Sequence, residues 1–367
     1  MQLDELKKII EGAGIVGAGG GGFPTHLKLD ARADVVILNC AECEPLLGVD
    51  KFLLANFAGE ILAGLDKVAR VLGARGIVAV KESYGAAISA VEAQLENFYN
   101  ISIHLLGDFY PAGDEIQLVY EAAGVIVPPG GLPIEAGCIV LNTETVYNIY
   151  HALDSGAAVT KKWLTVAGEV EKSATICVDL GTPIAAIAVA AEIKIDNPAI
   201  ISGGPMMGRL VAPGDIVTKT TKGVIVLPDD HILVRNRMAT RTVLQSRAAS
   251  ACCQCATCTS LCPRRLLGWP ISPHRIMLAV TVAAPQSSAF AGALYCSQCG
   301  ICETVACPQS LSPRRLIGTF KSALAEGGIK PAPIPAAPVW HGREERKVAM
   351  ARLKERLDLD KYEGEGD

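Results

Sequence analysis

Three things are scarce in this 367-residue chain, and each scarcity closes off a class of function. Positive charge is not in surplus: 34 lysines and arginines face 38 aspartates and glutamates, a net of -4, so nothing calls for a nucleic-acid partner. Long apolar runs are missing. The longest, residues 184–191 and 276–284, fall well short of the ~20 residues a membrane helix needs. A secretory leader is also missing, so the 13 cysteines are expected in a reducing compartment, where clustered thiols bind metal or do redox chemistry rather than build a disulfide framework. The expected location is cytosolic or peripheral, and the length suits two or three domains.

What is present in force is cysteine at fixed intervals. One block reads Cys252-x-x-Cys255-x-x-Cys258-x-x-x-Cys262-Pro263, the other Cys296-x-x-Cys299-x-x-Cys302-x-x-x-x-Cys307-Pro308. Thiolates at this interval converge on one cubane, and the cysteine before proline commonly serves the other cluster. On that logic Cys252, Cys255, Cys258 and Cys307 hold one 4Fe-4S cluster, and Cys262, Cys296, Cys299 and Cys302 a second. The second block has one extra residue before its last cysteine, and Cys253 is a spare thiol that could exchange roles with Cys252. Structural zinc, the rival reading, does not explain a third cysteine at the same interval followed by Cys-Pro, twice over.

Glycine, 36 residues in all, is concentrated near the start. Gly12-Ala13-Gly14-Ile15-Val16-Gly17 matches G-x-G-x-x-G, but a helix at residues 3–11 precedes it where a dinucleotide fingerprint needs a strand. More telling is Gly17-Ala18-Gly19-Gly20-Gly21-Gly22-Phe23-Pro24-Thr25, with Lys28 close behind. Such a loop exposes backbone N–H groups to a flat or anionic ligand such as a phosphate-bearing cofactor, although glycine loops also serve as plain turns.

The chain then alternates: strand 35–38, helix 52–71, strand 77–80, helix 86–97, strand 101–106, helix 115–123, and a further strand at 139–141. This predicts a three-layer α/β domain with a largely parallel sheet. Ligands on such sheets bind at the carboxyl ends of strands, which singles out Asn39-Cys40-Ala41-Glu42-Cys43-Glu44-Pro45, Tyr110-Pro111-Ala112-Gly113-Asp114-Glu115 and Asn142-Thr143-Glu144-Thr145. Asp114 and Thr145 would equally serve as helix caps. Cys40-x-x-Cys43 lacks the helix that a thioredoxin-like motif should open, and Cys138 and Cys177 read as small buried hydrophobes. Short β-branched runs at 163–166, 175–178, 193–195 and 223–226 predict a small β-rich domain with a tight turn at 203–208, where Met206 and Met207 read as packing residues. Residues 331–338 read as an extended Pro/Ala linker, 341–357 as a solvated amphipathic helix, and the last ten residues as a disordered acidic tail.

The glycine loop, the Asn39 and Asn142 segments, the run from Tyr110, the 203–208 turn and the two cysteine blocks together resemble the flavin-binding subunit family of respiratory complex I. Within it the chain is similar to the Rnf C subunit and, more closely, to the cobalamin reductases of propanediol-utilising microcompartments. The resemblance spans nearly the whole chain and implies a multidomain α/β protein. Its parts would be a Rossmann-like FMN- and NADH-binding α/β domain (1–155), a β-grasp domain of the soluble-ligand-binding type (156–228), a helical 4Fe-4S dicluster ferredoxin domain (229–330) and a linker with helix and tail (331–367). It further implies FMN on Gly17, Gly19, Gly20 and Gly22 with Lys28, Asn39, Gly113 and Asn142 around it, and Glu42 and Glu44 on the nicotinamide side. Ala18 stands where complex I has arginine, which leaves NADH against NADPH open. The activity implied is electron transfer from NADH through FMN and two clusters to cobalamin. The alternative is an electron-relay subunit of an Rnf-like membrane or microcompartment complex, with residues 331–357 as docking elements. Implied partners are cobalamin or a protein acceptor such as a cobalamin adenosyltransferase, with microcompartment association or self-association.

Overall fold

A computed structural model describes residues 1–281, 288–332, 334–335 and 337–362. Parts of the expected 276–284 helix, of the 331–338 linker and of the acidic tail lie outside these residues.

The first layer set is built on β1 (Val35–Asn39), a β-branched run buried on both faces and therefore suited to the middle of a parallel sheet. After an entry helix α1 (Leu3–Gly12), the elements run β1, α2 (Val49–Leu72), β2 (Arg75–Lys81), α3 (Gly85–Leu95), β3 (Ile101–Leu106), a short β4 (Phe109–Tyr110), α4 (Glu115–Ala123), β5 (Cys138–Asn142) and α5 (Thr143–Ser155). Four strands pair in the order β3-β2-β1-β5, all parallel. Strand order reverses between β1 and β5, so a crevice opens there at the carboxyl edge. Asn39 and Asn142, the last residues of the two strands, are register partners across it. Leu53, Ile61, Leu65 and Val68 of α2 cover one face of the sheet, and Ile116, Leu118 and Val119 of α4 the other.

The second set is a five-stranded mixed sheet: β6 (Lys161–Gly168), β7 (Ala174–Asp179), β8 (Pro198–Ser202), β9 (Arg209–Leu210) and β10 (Gly223–Pro228), ordered β7-β6-β10-β8-β9. β6 and β10 are parallel and central, and the other pairings are antiparallel. Helix α6 (Ile184–Ala190) buries Ile184, Ile187 and Ala188 against it. The strand expected at 193–195 is reduced to one bridge between Ile193 and Val170. Glu192 just before it is left-handed, with φ 61°, and the chain regains ladder pairing only from Pro198.

Helices α7 (Ile232–Met238), α8 (Arg241–Ala251), α9 (Pro273–Thr281) and α10 (Pro313–Glu326) frame the cysteine blocks. Phe290 and Phe320 stack with ring centroids 4.1 Å apart in their core. Among the described residues no helix is long and apolar enough to cross a membrane.

The C-terminal segment corrects an expectation. It is not a solvated helix: β11 (Val348–Ala349) pairs antiparallel with β4, and only Met350–Arg356 (α11) is helical. Val348, Met350, Leu353 and Leu357 are all buried, Arg343 donates to Gln117 at 2.7 Å, and His231 Nε2 lies 3.1 Å from Leu357 O. The segment thus straps the parallel-sheet layers to the start of the cysteine-bearing region.

Candidate flavin and iron–sulfur sites

The glycine loop is closed by a bridge between Val16 and Pro24 and by two backbone bonds, Gly17 N to Phe23 O and Gly22 N to Gly17 O. Gly20 at φ 110° and Gly22 at φ 64° occupy the region that side chains resist. The loop is pinned over the β1/β5 crevice from two sides. Ala18 N donates to Thr145 Oγ1 at 3.0 Å, and Ala18 O accepts from Lys162 Nζ at 3.0 Å. Gly19 lies against Asn142, whose Nδ2 would stand 3.3 Å from a Cβ placed there.

The other expected cofactor positions gather at the same edge. Asn39 Nδ2 donates to Gly113 O at 2.9 Å, and a Cβ on Gly113 would fall 2.4 Å from Ala41 O, so that loop admits only glycine. Asn142 caps α5 through its side-chain oxygen and donates to Asp50 at 3.0 Å. Asp114 caps α4 as its residue type suggested. Thr145 does not act as a cap; its hydroxyl oxygen instead accepts from Ala18 N of the glycine loop. Lys28 is held by Val140 O at 2.8 Å and by Glu115 at 2.5 Å. Its ammonium therefore reaches the crevice edge through a carboxylate.

Beneath this edge lies a set of buried charges that sequence reasoning did not single out. Lys222, just before β10, sits 3.0 Å from Glu42 and 2.5 Å from Asp50; Lys162, in β6, pairs with Glu144. Burial pushes the Glu42 carboxyl up to about 7, Lys222 opposing and Asp50 adding. Burial works against the Lys222 ammonium, but Asp50 and Glu42 outweigh it and keep its pKa above the usual lysine range. For Glu144 and Lys162, burial favours the neutral form of each, and their mutual attraction opposes it. Both lysines come from the second sheet, so that sheet completes the base of the cofactor crevice. The only available hint was lysine inside β-branched runs, at Lys162-Trp163 and Lys222-Gly223. Glu44 is placed differently: its carboxylate accepts from Met206 N at 2.7 Å and Met207 N at 2.8 Å, gripping the 203–208 turn. Met206 is buried as expected, while Met207 is exposed.

The two cysteine blocks repeat one backbone design. Gln254 and Ala256 in the first, and Gln298 and Gly300 in the second, are left-handed at φ 54°, 61°, 63° and 88°. In each block the glutamine donates to the first sulfur, Gln254 to Cys252 and Gln298 to Cys296, both at 3.2 Å. Cys252 thus occupies the position of Cys296, and the exposed Cys253 that of Ser297.

Crosswise grouping follows from the electrostatic neighbours. Burial lifts the Cys258 thiol to about 12, with Cys255, Cys307 and Cys252 adding to it. Cys302 is raised well above its usual range by burial, then by Glu303 and by Cys296, Cys299 and Cys262. Cys252, Cys255, Cys258 and Cys307 also line one cavity, together with Cys253. Among the described residues no three ligating side chains are close enough to share one ion. A cubane, with one cysteine per iron, instead takes sulfurs that stand apart around a cavity, and binding to iron is what deprotonates such buried thiols. The donor sets fit clusters better than zinc.

The second set abuts the flavin side. Tyr110 Oη donates to Cys299 O at 2.7 Å, Arg264 to Asp114 at 2.9 Å, and Gln117 Nε2 to Pro263 O at 2.9 Å. The loop that carries Gly113 is therefore bonded directly to the cysteine region.

A parallel sheet with a glycine loop at its switch point, joined to two cysteine sets, defines a flavin- and iron–sulfur-dependent oxidoreductase. The family model described as the Nuo51 FMN-binding domain matches residues 10–151, and that of a 4Fe-4S dicluster domain matches residues 251–312. The cobalamin reductase PduS of Salmonella typhimurium is 40% identical over 99% of this chain and 80% of its own length. That of Citrobacter freundii is 42% identical over 87% and 71%. The C component of the Na(+)-translocating ferredoxin:NAD(+) oxidoreductase complex of Acetobacterium woodii is 34% identical over 72% and 59%. An NAD+-reducing [NiFe]-hydrogenase structure shares the fold, with a TM-score of 0.58 at 19% identity over 94% of this chain and 66% of its own. This chain belongs to the PduS cobalamin reductase family.

Proposed function

We propose that the protein is a cobalamin reductase in which bound FMN takes a hydride from NADH and two 4Fe-4S clusters pass its electrons singly to the corrin. The observation that carries this reading is the direct bonding of the Tyr110–Gly113–Asp114 loop to Cys299 and Arg264, which sets the cysteine region against the cofactor crevice.

In this reading Gly19 and Gly20 turn backbone N–H groups toward the flavin phosphate, Gly17 and Gly22 hold the loop in shape with theirs, and Asn39, Gly113 and Asn142 shape the crevice beside it. Lys28 adds positive charge through its exchange with Glu115. Glu42, held by Lys222 and Asp50, stands on the nicotinamide side, and Glu44 orients the adjoining turn. Cys262, Cys296, Cys299 and Cys302 hold the cluster nearer the flavin; Cys252, Cys255, Cys258 and Cys307 hold the farther one. The second sheet is a β-grasp domain: its central parallel pair of first and last strands, with one packed helix, supports that assignment. We place the domains at 1–155, 156–228 and 229–330, with 331–367 as the strap. Association with a microcompartment follows from the PduS relationship alone.

The test is anaerobic: purified, cofactor-loaded protein is mixed with NADH and a cob(III)alamin, and the corrin spectrum is followed. Reduction of the corrin supports the reading. Reduction of an artificial dye without reduction of the corrin would remove cobalamin as the acceptor and favour the relay reading that the Rnf-type relatives suggest.

A further inference from the structure

The cysteine-bearing region has a charge unlike the rest of the chain. Residues 229–330 contain nine arginines and two lysines against four carboxylates, Asp229, Asp230, Glu303 and Glu326, a net of +7 in a protein whose total is -4. Five of the arginines are engaged with groups inside the fold: Arg237, Arg314 and Arg315 bond to backbone carbonyls, Arg264 to Asp114, and Arg265 stacks over Trp340. The other four, Arg235, Arg241, Arg247 and Arg275, are exposed and have no carboxylate partner among the described residues.

Their surroundings are equally specific. Arg235 and Arg247 flank a groove whose walls include Ile232, Met238 and Val243, apolar side chains left 44%, 67% and 41% exposed. The groove's far wall is Gln309 and Leu311, which also line the cavity of the first cysteine set. An apolar floor with a cationic rim, one residue layer from a solvent-facing redox site, has the anatomy of a transient protein interface.

We propose that this groove is the docking surface for an acidic electron-carrier protein, which takes one electron at a time from the first cysteine set. The partner is of opposite sign because seven net positive charges on one region would repel a cationic carrier and draw in an anionic one. The proposal rests on the reading of Cys252, Cys255, Cys258 and Cys307 as the outer cluster. It does not rest on the identity of donor or final acceptor.

The test uses full-length, cluster-loaded protein reduced with dithionite and freed of reductant, so NADH and cobalamin play no part. Two one-electron probes of similar size and opposite charge are offered: plastocyanin, which is acidic, and cytochrome c, which is basic. One electron leaves the protein and reduces Cu(II) to Cu(I) or Fe(III) to Fe(II). We expect plastocyanin to be reduced faster at low salt, with a rate that falls as salt rises. Arg235→Glu/Arg247→Glu should slow it about tenfold or more, while Lys8→Glu/Lys67→Glu, an equal charge change on exposed residues of α1 and α2 that do not line the groove, should change it less than about twofold. Titration calorimetry with both proteins oxidised should show the same loss of affinity with no electron moved. Iron and flavin content must match the parent in both variants. A faster rate with cytochrome c, or an equal loss in both double variants, would overturn the proposal. So would binding to anionic phospholipid vesicles that the groove variant abolishes while plastocyanin reduction is untouched.

Discussion

The two cysteine sets share a backbone design yet differ in their surroundings. Cys299 and Cys302 are buried, and the peptide of Cys299 is bonded to Tyr110 from the flavin side. In the other set Cys258 is buried but Cys255 is exposed, and its flank is the apolar groove edged by arginine. A duplicated motif has thus been given two environments, one facing the cofactor crevice and one facing solvent. In the proposed reading this difference sets the direction, electrons entering through the set beside the crevice and leaving through the one beside the groove.

The comparison can be broken most severely at the ligands. Cys302→Ser replaces a thiolate by a poor iron ligand. It should remove one cluster, roughly halve the iron, keep FMN, and lower acceptor reduction by two orders of magnitude or more. Iron assay, flavin spectrum and turnover check it, after circular dichroism shows parental folding. Next in size is Lys222→Met. It leaves Glu42 and Asp50 buried without their cation, a change that costs about 3 to 5 kcal/mol. Chemical denaturation should show that loss, together with weaker flavin retention and unchanged iron per folded molecule. A fall in iron with flavin intact would break the division between the two regions.

A pH prediction concerns the same crevice. With the Glu42 carboxyl raised from its ordinary 4.5 to about 7 in the fold, the folded state binds the extra proton, so stability due to this group is greatest on the acid side and falls as pH rises between those values. Denaturation midpoints measured from pH 5 to 8 should decline less in Glu42→Gln than in the parent. Tyr110→Phe should cost only about 0.5 to 1.5 kcal/mol, read from the denaturation midpoint, with both clusters present and slower passage of electrons between flavin and Cys299 side. Smallest of all is Cys253→Ser: iron content and turnover should equal the parent, whereas Cys252→Ser should lose a cluster. The reverse result would exchange the roles of the two thiols.

Regular alternation made the parallel sheet readable, because each β-branched run and each helical run is a local pattern; β3 and α4 fall where periodicity put them. The dicluster region was readable for a similar reason, since the cysteine spacing encodes the turn. The sequence offers no preference between Cys252 and Cys253, because left-handed residues and glutamine–sulfur bonds, which bear on it, are displayed only by the fold. Lys162 and Lys222 were invisible as site residues: their partners Glu144, Asp50 and Glu42 are brought to them by docking of two sheets. The strap was misread because its arginines and lysines suggested a solvated face, whereas Arg343 and Lys347 turn inward onto Glu121 and its apolar positions pack against Tyr110.

The most direct test of the assigned direction is rapid-freeze electron paramagnetic resonance of Cys302→Ser mixed with NADH without oxygen. The account predicts that the flavin bleaches while the cluster of Cys252, Cys255, Cys258 and Cys307 stays oxidised on the time scale of parental turnover. Reduction of that cluster at the parental rate would show that electrons reach it without the buried set, and would contradict the account.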